Sequence, residues 1–217
     1  MAFSARSKSF LWLLSFTLLV GAITVSSAFA NTSVSLVGVG DWSSPSVDPN
    51  PGSTSAKFGL GGGVLLGFTL APPFRLEVGG LYVRNKTDYT AASSPYTEQF
   101  NGVQIPVLLR FGFNRFISFG VGGYYTHFIG QYTDTNDATG VAASGNYSDN
   151  GLSSGEFGLV GSLAIHVPIT YTVDLTVDGR YNYGLTNIVS NSALAGETSE
   201  KLRDVQALVG LTFHMMR

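Results

Sequence analysis

Ser162, His166, Asp174 and His214 are the residues of this 217-residue chain whose types suggest chemistry. Serine, histidine and aspartate are the ingredients of a hydrolase triad, and two histidines with a carboxylate suggest a metal site or a proton relay. Spacing decides against the triad. Four residues along one strand put Ser162 about 13 Å from His166, far beyond hydrogen-bond reach. Two histidines without a third clear ligand more often hydrogen-bond, so no metal site and no cofactor are expected. Gly61-Gly62-Gly63 lacks the Lys-Ser/Thr and the helix of a phosphate loop. Asp134-Thr135-Asn136-Asp137 lacks the downstream Gly and Glu of an EF-hand and reads as turn chemistry. The chain has no cysteine, which excludes disulfides and thiolate chemistry.

What must position such residues is visible in Tyr171–Gly184, YTVDLTVDGRYNYG. Tyr171, Val173, Leu175, Val177, Tyr181 and Tyr183 share one parity; Thr172, Asp174, Thr176, Asp178, Arg180 and Asn182 share the other. A period of two means a strand with two unlike faces. The pattern recurs and predicts about eight strands: Thr32–Gly40, Lys57–Leu70, Phe74–Asn85, Glu98–Phe113, Arg115–Tyr132, Ser154–Val167, Tyr171–Leu185 and Glu200–His214. No helical period interrupts them. The register of FGLGGGVLLGFTL, apolar on both parities, stays open. Connections alternate. Asp41–Ala56, Lys86–Thr97, Thr133–Ser153 and Thr186–Ser199 are long and polar, whereas Ala71-Pro72-Pro73, Asn114 and Pro168-Ile169-Thr170 are short. All long loops then fall at one end and all short turns at the other, the layout of an up-and-down antiparallel barrel.

Composition bears on which face points inward. Charged residues make up 12 % of the chain, against about 25 % in typical soluble domains. No apolar run within the body is long enough for a membrane helix. A formal net charge of −2 leaves no electrostatic footprint for nucleic acid. Arg6 and Lys8, the apolar run Phe10–Ile23 and Ala28-Phe29-Ala30 form a secretory signal over residues 1–30, with cleavage expected after Ala30 and a barrel domain over 31–217.

Three features turn the apolar face to lipid. Aromatic residues bracket the apolar stripes: Phe74 opposite Tyr82, Tyr171 opposite Tyr181 and Tyr183, and Phe213 at the end of the last strand. Ten tilted residues span roughly 23 Å, close to the apolar band of an outer-membrane barrel. The other face carries Arg75, Glu77, Arg110, Glu156, Asp174, Asp178, Arg180 and Asp204 near strand middles, and glycine is dense on that parity. In a lumen such charges must pair, so Arg75, Arg110 and Arg180 are expected to bridge the five carboxylates. With about eight strands the lumen is just wide enough for side chains to fill it. Arg84, Lys86, Lys201 and Arg203 stand outward beyond the aromatic belt and are expected contacts for lipopolysaccharide phosphates.

On the signal peptide, the two-residue alternation, the uneven loops and the final strand VQALVGLTF ending on Phe213, the chain resembles the small bacterial outer-membrane β-barrels of the OmpA/OmpX-like, porin-like type. Members usually end on the aromatic residue that the barrel-assembly machinery reads; here His214-Met215-Met216-Arg217 follow it. The resemblance implies a Gram-negative outer-membrane location, with lipid, lipopolysaccharide and the assembly machinery as partners. The leading expectation is a non-enzymatic, structural or surface-interacting protein whose loop partner the residues do not name. A narrow channel for ions or small, even apolar, solutes is the alternative. A lipid A-modifying enzyme is the distant third: lipid A deacylases of this shape carry His-x-Ser, and His127-Phe128-Ile129 departs from it.

Overall fold

The computed structural model describes residues 32–44, 46–48, 53–90, 96–130, 132–136, 139–140, 142–145, 153–187 and 199–215. The signal segment and the Ala30 junction lie outside them. The described residues form twelve strands: β1 (Thr32–Ser43), β2 (Ser46–Asp48), β3 (Ser53–Ala71), β4 (Phe74–Thr90), β5 (Tyr96–Gly112), β6 (Ile117–Phe128), β7 (Tyr132–Asn136), β8 (Ala142–Gly145), β9 (Gly155–Pro168), β10 (Val173–Gly184), β11 (Ser199–Lys201) and β12 (Arg203–Met215). Eight of them, in the order β4-β3-β1-β12-β10-β9-β6-β5, form one antiparallel ring that the β4–β5 pairing closes. Closure leaves no edge strand in that ring, which a structure crossing lipid requires. No described helix is long and apolar enough to cross a membrane; the strands are the crossing elements.

β6 and β10 are shorter than the expected strands Arg115–Tyr132 and Tyr171–Leu185, whereas other strands extend past their expected loop ends. β3 and β4 start or run well past the aromatic belt, and β1 continues through Asp41 to Ser43. Backbone pairing therefore outlasts the apolar stripe that marks a strand in sequence. The expected strand Glu200–His214 is divided at Leu202: β11 pairs with β2 as a separate ribbon, and β12 begins at Arg203. The expected connection Thr133–Ser153 contains the hairpin β7–β8, which pairs onto the outer part of β5. At the opposite end the links are tight. Between β5 and β6, the Asn114 side-chain oxygen accepts the backbone N–H groups of Phe116 (2.7 Å) and Ile117 (2.8 Å), local side-chain bonding that holds a turn without further residues.

The two faces separate by parity. On β5, Val103, Ile105, Val107, Leu109 and Phe111 are exposed, whereas Gln104, Leu108 and Arg110 are buried. On β9, Phe157, Leu159, Leu163, Ile165 and Val167 point out. A continuous apolar outer surface with polar groups inside is the inverse of a soluble protein and matches a barrel solvated by lipid. β3 resolves the ambiguous stretch: Phe58, Leu60, Val64 and Leu70 are exposed and Leu65 is buried. One alternation therefore holds from Phe58 to Leu70, with an unbroken register against β1, although the pairing with β4 shifts between Lys57 and Gly62. The inside is not uniformly polar. Val37, Val39, Leu65, Leu81, Val83 and Leu208 form one buried apolar cluster, and Leu108, Tyr124 and Val160 form another.

Candidate functional site

Ring order explains what meets inside. β4 and β10 stand four places apart among eight strands, so they face each other across the lumen, with β5 beside β4. Inward residues of these three strands therefore converge at the axis. Glu77 (β4) receives Arg110 (β5) through Nε at 2.7 Å and Nη2 at 3.2 Å. It also receives Arg180 (β10) through Nη2 at 2.7 Å. Asp178 (β10) accepts Arg180 Nε at 2.9 Å, Arg110 Nη2, and the Ser162 hydroxyl at 2.6 Å. Two guanidinium groups and two carboxylates thus form a closed four-charge latch from wall to wall, with side chains at most 11 % exposed.

A glycine makes room for it. A Cβ on Gly120, in register with Arg110 and Ser162, would lie 3.0 Å from Leu108 Cδ2 and 3.3 Å from both Arg110 Cγ and Ser162 Cβ. The arginine stem occupies the space a side chain would need. Buried charges are costly to desolvate, and each partner here offsets the other's cost only while all four remain.

Below the latch, toward the short turns, polar groups are chained. Ser35 and Thr212 (2.8 Å), Thr212 and Thr176 (2.8 Å), Thr176 and His166 Nδ1 (3.1 Å), and His166 Nε2 and Ser118 (2.9 Å) are successive pairs. His214 Nε2 lies 2.8 Å from Asp174 Oδ2. The expected group of His166, His214 and Asp174 is therefore split: Asp174 serves His214, and hydroxyls serve His166. Ser162 binds Asp178, with no histidine attached. Among the described residues, no three His, Asp or Glu side chains are arranged to hold a metal. The turn end opens into a cavity of about 680 Å³ between the turns and the latch.

The eight lumen charges expected to pair divide accordingly. Arg110, Arg180, Glu77 and Asp178 come together. Asp174 goes to His214. Glu156 accepts the Tyr124 hydroxyl at 3.1 Å, near the loop end. Asp204 is buried beside Asn182 and Ser43 in register, and its Oδ1 has no hydrogen-bond partner. Arg75 makes no ion pair among the described residues; it stands directly across from Arg110, whose carboxylate partners are already engaged. The loop-end half also holds residues that strand bounds alone concealed. Asp41, 1 % exposed, continues the inward parity of β1 one step past the expected end at Gly40.

On the outside, Phe74, Phe213 and the turn residue Tyr171 lie toward the short turns, and Tyr82, Tyr181 and Tyr183 toward the loops; all are exposed. Beyond them, Arg84 Nε donates to Asn101 Oδ1 at 3.0 Å, and the Arg203 guanidinium lies 5.3 Å from the centre of the Tyr183 ring. Lys86 is in register with Lys57. Lys201 is not on the same strand as Arg203; it sits in the β2–β11 ribbon opposite Ser46.

Comparison with known proteins agrees with this geometry. The chain's fold is similar to that of a major outer membrane protein from Thermus thermophilus, with a TM-score of 0.52 and 14 % identity over 86 % of this chain and 100 % of that one. OprG from Pseudomonas aeruginosa gives a TM-score of 0.49 and 14 % identity, covering 87 % and 97 % of the two chains. No curated protein matches the sequence. A model of the outer membrane protein beta-barrel domain matches residues 22–190. The chain is a member of that family of bacterial outer-membrane β-barrels.

Proposed function

We propose that this chain is a non-enzymatic, structural or surface-interacting component of the outer membrane, exported by residues 1–30 with cleavage after Ala30, whose lumen is closed by its own side chains. One observation carries the reading: the Glu77–Arg110–Asp178–Arg180 latch joins opposite walls of the ring. A lumen of eight strands has room for side chains and little else. The loops at the far end face outward from the cell, and the barrel-assembly machinery inserts the chain. Arg84, Lys86, Lys201 and Arg203 contact lipopolysaccharide phosphates. The stacking of Arg203 on Tyr183 and the bond from Arg84 to Asn101 support this by fixing two of the four cations at the level of the aromatic belt.

Proteoliposome swelling tests the closed lumen. Vesicles carrying the wild-type protein should swell no faster in amino-acid or small-sugar solutions than empty vesicles; rapid swelling would replace this reading with that of a channel. The cavity under the latch is the observation that favours the channel, since it shortens the barrier a solute must cross. For the surface contacts, replacing the four cations together with Gln should reduce co-purified lipopolysaccharide severalfold, and an unchanged level would refute the assignment. Lipid A from expressing and non-expressing cells should have the same mass spectrum.

A further inference from the structure

Arg75 occupies an unusual electrostatic position. It points inward from β4 and lies directly across from Arg110 on β5. Like charges facing each other across strands are destabilising. The nearest carboxylate in sequence, Glu77, is committed to Arg110 and Arg180. The carboxylate across the cavity, Asp174, is hydrogen-bonded to His214. Arg75 is therefore a half-buried guanidinium with no ion-pair partner among the described residues. It lines the cavity of about 680 Å³ at the turn end, together with Arg115, Ser118, His166, Asp174 and His214. Arg115 is held at the rim, its guanidinium 5.1 Å from the centre of the Phe116 ring. Asp174 is the single carboxylate among the lining residues, against three arginines.

We propose that this cavity is a binding site, open to the periplasmic side, for a small phosphate-bearing anion, with Arg75 as the group that grips it and Arg115 as the cation that draws it in. A guanidinium fork matches the oxygens of a phosphate in geometry and charge. The anion supplies the ion-pair partner that Arg75 lacks, and a cavity of this size holds an organic phosphate as readily as an inorganic one. The phosphate belongs either to a soluble ester or to a phospholipid headgroup of the periplasm-facing leaflet. The site does not depend on whether the lumen conducts.

Titration calorimetry with inorganic phosphate, on the full mature chain refolded in a non-ionic detergent, tests the proposal. The wild type should bind saturably, and Arg75→Gln should bind at least tenfold more weakly. Lys57→Gln, at the opposite end, should match the wild type. In phosphate-free buffer Arg75→Gln should melt no lower than the wild type, because it removes a like-charge contact; this separates a binding role from a structural one. Equal phosphate binding by wild type and Arg75→Gln, absence of saturable binding at millimolar phosphate, or an Arg75→Gln variant that melts lower would each overturn it. Repeating the titration in phosphatidylcholine nanodiscs with and without phosphatidic acid identifies the source. Weaker phosphate binding in the doped discs points to the lipid headgroup, and unchanged binding to a soluble phosphate.

Discussion

The two halves of the lumen solve the same problem differently. From the latch toward the short turns, charges and hydroxyls are joined: Glu77, Arg110, Asp178 and Arg180 with Ser162, then His166 through Ser118, Thr176, Thr212 and Ser35. From the latch toward the loops, Asp41, Ser43, Asn182, Asp204 and Gln206 are equally buried, yet each has at least one side-chain atom without a close hydrogen-bond partner among the described residues. Arg180 marks the boundary: its Nε and Nη2 serve the latch, and its Nη1 is unpartnered. Burial is thus not what distinguishes a stabilising polar group in this barrel; satisfaction is. Removing a partner from a satisfied network strands a charge, whereas removing an unsatisfied group relieves a cost.

Four substitutions, measured by urea unfolding in lipid vesicles, would sharpen or break that contrast. The largest loss should follow Glu77→Gln, which removes one of the two carboxylates that both arginines share and should cost about 3–5 kcal/mol. Gly120→Val should cost roughly 1–3 kcal/mol by crowding the Arg110 stem. Thr176→Val interrupts the hydroxyl chain between Thr212 and His166 and should cost about 1 kcal/mol. Gln206→Met, in the loop-end half, should cost less than about 1 kcal/mol, because it removes a neutral amide and breaks no ion pair. A loss at Gln206 as large as that at Glu77 would erase the distinction between the halves.

Much of the fold is legible in the sequence because the pleat imposes a period of two wherever lipid and lumen lie on opposite sides of one sheet. β10 illustrates this: Val177, Tyr181 and Tyr183 are exposed and Thr176, Asp178, Arg180 and Asn182 buried. Alternation cannot fix what depends on pairing between strands. Arg75 and Arg110 look equivalent in sequence, each an inward arginine that the structure places near the short-turn end of its strand rather than near its middle. Only the register that sets them opposite each other, and the ring order that brings Asp178 and Arg180 from the far wall, leaves Arg110 in the latch and Arg75 outside it. Leu81 and Val83 are also hidden, since apolar residues on the inward parity carry no mark of their side until Arg75 and Glu77 set the phase. Asp41 and Lys201 escape the alternation at strand ends, where the apolar stripe stops before the hydrogen-bond ladder in one case and a separate ribbon takes over in the other.

Single-channel recording in planar bilayers tests the central claim, that the four-charge latch closes the lumen, most directly. Wild-type protein should be electrically silent, and a variant with Glu77→Ala and Asp178→Ala together should open measurable conductance steps. Steady conductance by the wild type, unchanged in that variant, would contradict the account.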